Sequence, residues 1–287
     1  MQDAEWMNDA TITKTQMQAF RDQLCWEEKS PGTMEKYCRD VAAFAAWLGE
    51  RPLTKDAAGA WKAALLAGGQ APATINAKLA ALNRFFSFLG RPELRVRPLR
   101  IQRRLFRDDS RDLTREEYDR LLGAARALGR ERLALLLEAI CATGIRVSEV
   151  RYLTVEAARQ GKAEISLKGK IRTILLPEKL CRKLLQYAQK QKTASGAIFR
   201  TKSGKELGRR QIWAEMKRLC GRAGVDPRKV FPHNLRHLFA MVFYRTSRDI
   251  VKLADLLGHS SIETTRIYLV TSGAEHQRTL DRLGLIS

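Results

Sequence analysis

The 287-residue sequence contains 52 lysines and arginines against 31 aspartates and glutamates, which gives a formal charge of +21 at pH 7. Hydrophobic residues make up 45% of the chain, which is enough to build packed cores and indicates a globular protein. The sequence has no run of about 18 uncharged apolar residues and no basic-then-apolar signal at its start, which predicts a cytoplasmic protein that does not enter membranes.

The charge excess predicts a polyanionic partner. Nucleic acid is the leading candidate, because neutralising phosphates releases their counterions and gives strong, salt-dependent affinity. An anionic membrane surface is the weaker alternative, since no long basic amphipathic segment stands alone. The five cysteines form no CxxC pair and are odd in number, so they indicate neither a zinc cluster nor a disulfide framework.

Apolar residues recur at helical spacing through the first ninety residues. The segments TKTQMQAFRDQLCWEEK and SPGTMEKYCRDVAAFAAWLG predict two helices, residues 55–66 a third, and APATINAKLAALNRFFSFLG a fourth that Gly90 closes. We therefore predict a small α domain of four helices over residues 1–92.

Prolines and arginines interrupt this periodicity over residues 93–111. The segment predicts an interdomain linker that lies on an acidic partner, although a solvated run of charges is the alternative. Its candidate DNA-binding residues are Arg95, Arg97, Arg100, Arg103, Arg104 and Arg107.

A second domain is predicted over residues 112–287. Thr114 and Glu117 have capping-box spacing at its start, with Asp112 as an alternative cap, and RLALLLEAICATG predicts a helix buried in the core. The segment AEISLKGKIRTILLP predicts a β-hairpin, and helices follow over 178–192, 208–223, 233–247, 248–257 and 261–269. The predicted fold class is mainly α with one small antiparallel sheet.

Three short segments of this domain carry reactive or anion-binding side chains. In FPHNLRHLFAMVF, His233 and Arg236 share one face near a helix start, which is an anion site unless the two residues only cap the helix. In ATGIRVSEV, Arg146 needs a carboxylate or a phosphate, and Glu149, one turn along the new helix predicted beside Arg146, is the candidate carboxylate.

The third segment is LLGHSSIETTRIYL. Gly258 ends one helix, His259 lies in the turn, and Ser260 with Glu263 has the spacing of a capping box for the next helix. Tyr268 lies off the apolar stripe of that new helix, so it is either a reactive group or a packed aromatic.

Taken in chain order, Arg146, a hairpin lysine, HNLR, LGH and a downstream tyrosine resemble the tyrosine recombinase, or phage integrase, family. The resemblance covers nearly the whole chain and points to the compact Xer-like and mobile-element members. It implies that residues 1–92 form a SAM-like core-binding domain and that residues 112–287 form the catalytic domain.

The resemblance also implies the members of a catalytic set. The arginines bind the phosphate, the first histidine pairs with the second arginine, the later histidine donates a hydrogen bond to the phosphate, and the tyrosine is the nucleophile. A hairpin lysine is the general acid, for which Lys170 is the alternative to Lys168. The implied residues are Arg146, Lys168, His233, Arg236, His259 and Tyr268, with Glu149 supporting the first arginine.

These residue types suit the implied reaction. Two guanidiniums, always protonated and fork-shaped, neutralise the extra charge on an attacked phosphodiester without a metal. A tyrosine has a pKa of about 10 and needs help to lose its proton. The family mechanism proceeds through a 3′-phosphotyrosyl link and a Holliday junction, and it implies no metal, no ATP and no other cofactor.

The implied partner is double-stranded DNA with a specific recombination site, in a nucleoid-associated enzyme. The tail VTSGAEHQRTLDRLGLIS implies a tetramer on two sites, or else it folds back on its own domain. An accessory recombinase or a directionality factor is a further implied partner. The alternative functions are a non-catalytic DNA-binding protein on the same fold and a type IB topoisomerase. A metal-dependent nuclease is the least favoured alternative, because the sequence shows no cluster of carboxylates that could bind a metal ion.

Overall fold

The computed structural model describes residues 11–101, 109–167, 170–201, 203–259, 261–266 and 281–282 of the chain. The chain divides into two compact units, Met1–Arg103 and Arg104–Ser287. In these described ranges no helix is both long and apolar enough to cross a lipid bilayer.

The first unit contains the four helices that the sequence predicts. They are α1 (Lys14–Trp26), α2 (Pro31–Leu48), α3 (Lys55–Ala67) and α4 (Pro72–Phe88). Proline stands in the first turn of α2 and of α4, where its missing N–H costs no helical hydrogen bond. Aromatic rings fill the core, with Phe44 packing against Trp61 at 5.1 Å between ring centroids and edge-on against Phe86 at 6.1 Å.

Residues 94–99, at the start of the predicted linker, lie along α4. The Asn83 side chain donates to the carbonyl of Val96 and accepts from its N–H, both at 2.9 Å. Asn76, two turns earlier on α4, makes the same pair of bonds with Leu99 at 2.9 and 2.7 Å. The two side-chain amides thus supply the backbone hydrogen bonds that a neighbouring β-strand would otherwise give this extended segment.

This arrangement packs the apolar side chains of the segment against the core and leaves its described arginines exposed. Leu94 is buried in the first unit's core, and Val96 and Leu99 pack against it. The linker arginines in the described ranges, Arg95, Arg97 and Arg100, are exposed, while Arg103, Arg104 and Arg107 lie outside those ranges.

The second unit is mostly helical with a two-stranded sheet, as the sequence predicts. Its main helices are α5 (Arg115–Ala127), α6 (Glu131–Thr143), α7 (Val155–Gln160), α8 (Glu178–Lys190), α9 (Arg209–Lys217), α10 (Cys220–Ala223), α11 (Pro232–Ser247), α12 (Ile250–Leu257) and α13 (Ile262–Arg266). Helix α6, whose sequence is nearly all apolar, packs against α5, α8 and α11 and forms the centre of the core.

The strands β1 (Lys162–Leu167) and β2 (Lys170–Leu175) form an antiparallel hairpin. Ile165 pairs with Arg172 and Ala163 with Ile174, so these four side chains share one face of the sheet. Ala163, Ile165 and Ile174 are buried, which identifies this face as the inward one. Arg172 therefore projects inward among apolar residues.

Several boundaries differ from those that the sequence predicts. The helix predicted over 208–223 is two helices, α9 and α10, and the segment after Arg146 is a 3₁₀ turn, Val147–Tyr152. Helix α13 begins at Ile262, one residue beyond the predicted start, because the Ser261 hydroxyl accepts the Glu263 N–H; Ser260 lies outside the described residues. The capping box of Thr114 and Glu117 is confirmed, with bonds of 2.9 and 3.2 Å.

Candidate active site

A buried arginine lies at the centre of the candidate site. Arg236, on α11, is 2% exposed, and its guanidinium donates to the carbonyl oxygens of Gly144 and, at 2.7 Å, of Leu257. Gly144 caps the C-terminus of α6, and Leu257 is the last residue of α12. Two helix C-termini, the negative ends of their dipoles, thus stabilise a buried cation and fix its orientation.

The first turn of α11 is itself anchored. The side-chain amide of Asn234, which is buried, donates to the carbonyls of Arg111 at 2.6 Å and Lys229 at 2.7 Å. His233 precedes it in the same turn and is exposed. The segment HNLR therefore gives one inward amide that fixes the turn, one outward histidine and one buried arginine.

A second arginine lies near the first and shares a buried carboxylate with a third. Glu149 is 3% exposed and accepts from the Arg146 backbone N–H at 2.8 Å and from its guanidinium at 3.0 Å. Arg172, from β2, donates to Oε2 of this carboxylate, the oxygen that also accepts the Arg146 backbone N–H, whereas the Arg146 guanidinium donates to Oε1. Burial alone would raise the pKa of Glu149, but the Arg146 N–H and the positive charge of Arg172 hold the pKa below its ordinary value.

Arg172 also ties the hairpin to the turn after α12. Its guanidinium donates to the carbonyl of Leu256 at 3.3 Å. A Cβ at Gly258, where φ is +63°, would lie 2.6 Å from the Arg172 Cδ, so the two residues are in direct contact. Arg146 reaches the same turn, donating to the carbonyl of Gly258 at 3.4 Å.

His259 follows this turn and contacts the buried arginine. Its Nε2 lies 3.0 Å from Nη2 of Arg236, and its Nδ1 lies 2.9 Å from the hydroxyl of Thr265 on α13. Burial, followed by the nearby charges of Arg236 and Arg146, lowers the pKa of His259 to about 4. The imidazole is therefore neutral at physiological pH.

Four of the predicted catalytic residues line one cleft of about 640 Å³: Arg146, His233, Arg236 and His259. Lys168 and Tyr268 lie outside the described residues, and Lys170 is the first residue of β2. In the described part of the chain, no cluster of three or more His, Cys, Asp or Glu residues is arranged to hold a metal ion.

Several residues of the site are not predicted from the sequence. Arg209, Arg210 and the half-exposed Trp213, all on α9, line the same cleft. Arg172 and Thr265 do not line the cleft but hydrogen-bond to residues of the site, Glu149 and His259. The sequence contains a signal for Arg172. A charged residue at an inward-facing position of a predicted strand needs a buried partner.

Comparisons with known proteins identify the class of the molecule. The family model described as "Phage integrase family" matches residues 111–274, and the one described as "Phage integrase, N-terminal SAM-like domain" matches residues 17–93. Because the first of these models covers more than half of the chain, the chain belongs to the phage integrase family and is a tyrosine-type site-specific recombinase.

Its relatives include "Tyrosine recombinase XerA" of Pyrococcus furiosus, with 30% identity over 98% of both proteins. "Tyrosine recombinase XerD" of Xanthomonas campestris is 31% identical over 92% of this chain and 90% of that protein. Among solved structures, a lambda integrase dimer bound to a COC' core site has a TM-score of 0.71 at 17% identity and covers 89% of this chain and 94% of that one. The XerH recombinase bound to palindromic difH substrate has a TM-score of 0.70 at 19% identity, covering 96% and 91%, and both structures support the fold.

Proposed function

We propose that the recombinase cleaves and rejoins DNA with Tyr268 as its nucleophile, without a metal or ATP. The observation that carries this proposal is the convergence of two arginines and two histidines on one cleft of about 640 Å³. The phenolate oxygen attacks the phosphorus, the bond to the 5′ oxygen breaks, and a 3′-phosphotyrosyl link remains. A 5′-hydroxyl from another strand then reverses the step, and two such exchanges pass through a Holliday junction.

The two arginines bind the scissile phosphate in this proposal. The attack spreads extra negative charge over the non-bridging oxygens, and preorganised cations stabilise that charge. Arg236 is held by two carbonyls and Arg146 by Glu149, so neither guanidinium has to reorganise when the phosphate arrives. Arginine suits the task because its planar fork matches two phosphate oxygens at once.

The proton transfers are assigned to the flanking residues. A tyrosine with a pKa of about 10 is mostly protonated at neutral pH, so His233 accepts the phenolic proton as Tyr268 attacks. The leaving 5′ oxygen takes a proton from the hairpin lysine, which we propose to be Lys168, with Lys170 as the alternative. Each step conserves protons between protein and substrate, so no other reactant is required.

Double-stranded DNA is the proposed substrate for both units, with residues 1–92 as the core-binding domain and 112–287 as the catalytic domain. The exposed Arg95, Arg97 and Arg100 of the first unit offer phosphate contacts. In the second unit, Arg209 and Arg210 extend the basic wall of the cleft. Binding through so many arginines should weaken steeply as salt concentration rises.

We further propose that the enzyme works as a tetramer on two recombination sites, joined by its C-terminal tail. It would act at the nucleoid, with an accessory recombinase or a directionality factor setting the outcome. Sedimentation of the protein on its recovered DNA site would test the assembly, since a dimer per site and a tetramer per pair of sites differ twofold in mass.

Covalent capture tests the chemistry. The protein is incubated with sheared genomic DNA of its source organism and denatured, and the protein-linked fragments are sequenced. Wild type and the control Tyr244→Phe should trap the same DNA sequence, with or without EDTA, and peptide mapping should find the nucleotide on Tyr268. An adduct formed by Tyr268→Phe, or one lost with EDTA, would contradict the mechanism.

The same experiment separates the alternative functions. A repressor or architectural protein would bind the DNA without any adduct. A type IB topoisomerase would relax supercoiled plasmid that lacks the recovered sequence, whereas the recombinase should leave that plasmid supercoiled.

A further inference from the structure

Hydrogen bonds hold both strands of the β1–β2 hairpin near the end that leads to its loop. On β1, the backbone carbonyl of Ser166 accepts a hydrogen bond of 2.6 Å from the hydroxyl of Tyr152. On β2, the guanidinium of Arg172 donates to the carboxylate of Glu149. Ser166 and Arg172 both lie within the last three residue pairs of the ladder, so each strand is anchored close to the loop.

Both anchors connect to the same short segment. Tyr152 and Glu149 belong to the 3₁₀ turn Val147–Tyr152, which follows Arg146 directly and lies beside β1. Glu149 also accepts from the backbone N–H and the guanidinium of Arg146. One turn therefore connects the proposed phosphate-binding arginine with the two strands that lead to the candidate general acids.

Apolar packing contributes little at this end of the hairpin. Among the side chains that the structure describes, Ile171, which pairs with Ser166, is 79% exposed. The buried apolar residues of the inward face all lie farther from the loop: Ala163, Ile165 and Ile174. A two-stranded hairpin is marginally stable by itself. The polar anchors therefore determine where this end of the hairpin lies.

Stability alone does not account for an arginine at position 172. Its side chain is 15% exposed, and its Nε is buried without a hydrogen-bond partner among the described residues. A buried N–H without an acceptor is unfavourable, and replacing a whole buried ion pair by apolar side chains is often neutral for stability. The position is better explained by what the guanidinium joins, because it also donates to the carbonyl of Leu256, near the end of α12, at 3.3 Å.

We propose that Tyr152 and Arg172 are positioning residues that hold the hairpin so that its lysine delivers a proton to the 5′ oxygen of the phosphate bound by Arg146. The inference rests on the proposed function, in which that lysine is the general acid. A general acid acts within hydrogen-bond reach of the leaving atom, and a displacement of about 1 Å can slow a reaction about a hundredfold. Neither positioning residue transfers the proton; each acts through the strand that it holds.

A substrate with sulfur in place of the leaving 5′ oxygen isolates this role. When Tyr268 attacks, the bond from phosphorus to sulfur breaks and the sulfur leaves as a thiolate without taking a proton. A thiol, with a pKa of about 8.5 in cysteine, leaves readily as its anion. Loss of the general acid should therefore slow cleavage of the oxygen substrate and spare the sulfur substrate. Both substrates carry the DNA site recovered by covalent capture, and the full-length protein cleaves them in single-turnover reactions.

Tyr152→Phe, which removes one hydroxyl, should cleave the oxygen substrate about tenfold more slowly than wild type and the sulfur substrate at the wild-type rate. Arg172→Lys should behave in the same way. It keeps a cation beside Glu149 but loses the fork that joins this carboxylate to the Leu256 carbonyl. The matched control Tyr244→Phe, on α11, should equal wild type on both substrates.

A double-mutant cycle links the positioning residue to the lysine. Lys168→Ala and Lys170→Ala are compared first, and the general acid is the one whose variant is slow on oxygen and restored by sulfur. Adding Tyr152→Phe to that variant should slow the oxygen reaction no further, because the acid that Tyr152 positions is already gone.

Three results for Tyr152→Phe would overturn the inference: the wild-type rate on oxygen, an equal loss on both substrates, or a further loss in the lysine variant. If Arg172→Lys does not fold, Tyr152→Phe and the lysine variants still decide. If sulfur restores neither lysine variant, the proposed general acid is wrong and the inference is overturned with it. A wild type that forms no adduct would overturn the whole proposed function, whereas a restored lysine variant beside an unaffected Tyr152→Phe would overturn this inference alone.

Discussion

Replacing Arg172 with methionine removes one of the two guanidiniums that hold the Glu149 carboxylate. Glu149 is 3% exposed and accepts three hydrogen bonds, from the Arg146 N–H, the Arg146 guanidinium and Arg172. Removing one partner of a buried ion pair costs about 3–5 kcal/mol when the other charge is left unpaired. Because Arg146 remains, we expect the lower end, a loss of about 3 kcal/mol in the free energy of unfolding of the second unit.

Fluorine NMR with 5-fluorotryptophan measures this loss in the full chain. Trp213 is the one tryptophan in the sequence of the second unit, so its signal follows the unfolding of that unit in urea. A double-mutant cycle with Glu149→Gln separates the ion pair from packing, and the double variant should cost less than the sum of the two single ones.

The effect of Arg172→Met should also depend on pH. The folded-state pKa of Glu149 is depressed, so the stability that this carboxylate contributes is present above its unfolded pKa of about 4.3 and is lost as pH falls toward the lower folded value. The difference between wild type and variant should therefore shrink in acid. Additive single effects, a loss below about 0.5 kcal/mol, or a difference that is constant from neutral to acid pH would refute the reasoning.

Two further perturbations test the turn after α12. The pKa of His259 is lowered from 6.5 to about 4, so the unfolded state takes up the proton first, and stability should fall as pH drops from 6.5 toward 4. After allowance for solvent screening of a partly exposed ring, the loss should be about 1–2 kcal/mol in urea titrations and absent in His259→Gln. Gly258→Ala should destabilise the second unit by about 2 kcal/mol more than Gly161→Ala. Both glycines have positive φ, but only at Gly258 would the new Cβ meet Arg172, and equal urea midpoints for the two variants would disprove that contact.

The helices and the hairpin are predictable from the sequence because their signals are local. Apolar spacing identifies all four helices of the first unit, and the Thr114 capping box identifies the start of α5. Boundaries are less predictable where tertiary contacts override the pattern. The segment after Arg146 is a 3₁₀ turn since Glu149 reaches back to the Arg146 N–H and out to two guanidiniums.

The candidate site is likewise predictable only in part from the sequence. His233, Arg236 and His259 belong to short motifs, so their clustering could be expected from the family resemblance. The bonds that hold the two arginines of the site are long-range: Arg236 donates to Gly144, 92 residues earlier, and the Glu149 carboxylate that Arg146 contacts is also held by Arg172, 23 residues later. No local periodicity encodes such pairs, and the partner role of Thr265 emerges only once α12 and α13 are folded against each other.

The bonds from Asn76 and Asn83 to the extended segment have a consequence for DNA binding. Ordering one backbone residue costs about 1–2 kcal/mol in conformational entropy, and a flexible arginine-rich arm meets that cost when it binds. In this chain the backbone that carries Arg95 and Arg97 is already fixed along α4 when the first unit folds. If these arginines bind phosphate as proposed, they would do so as part of a rigid surface, with most of the ordering entropy lost in folding rather than in recognition.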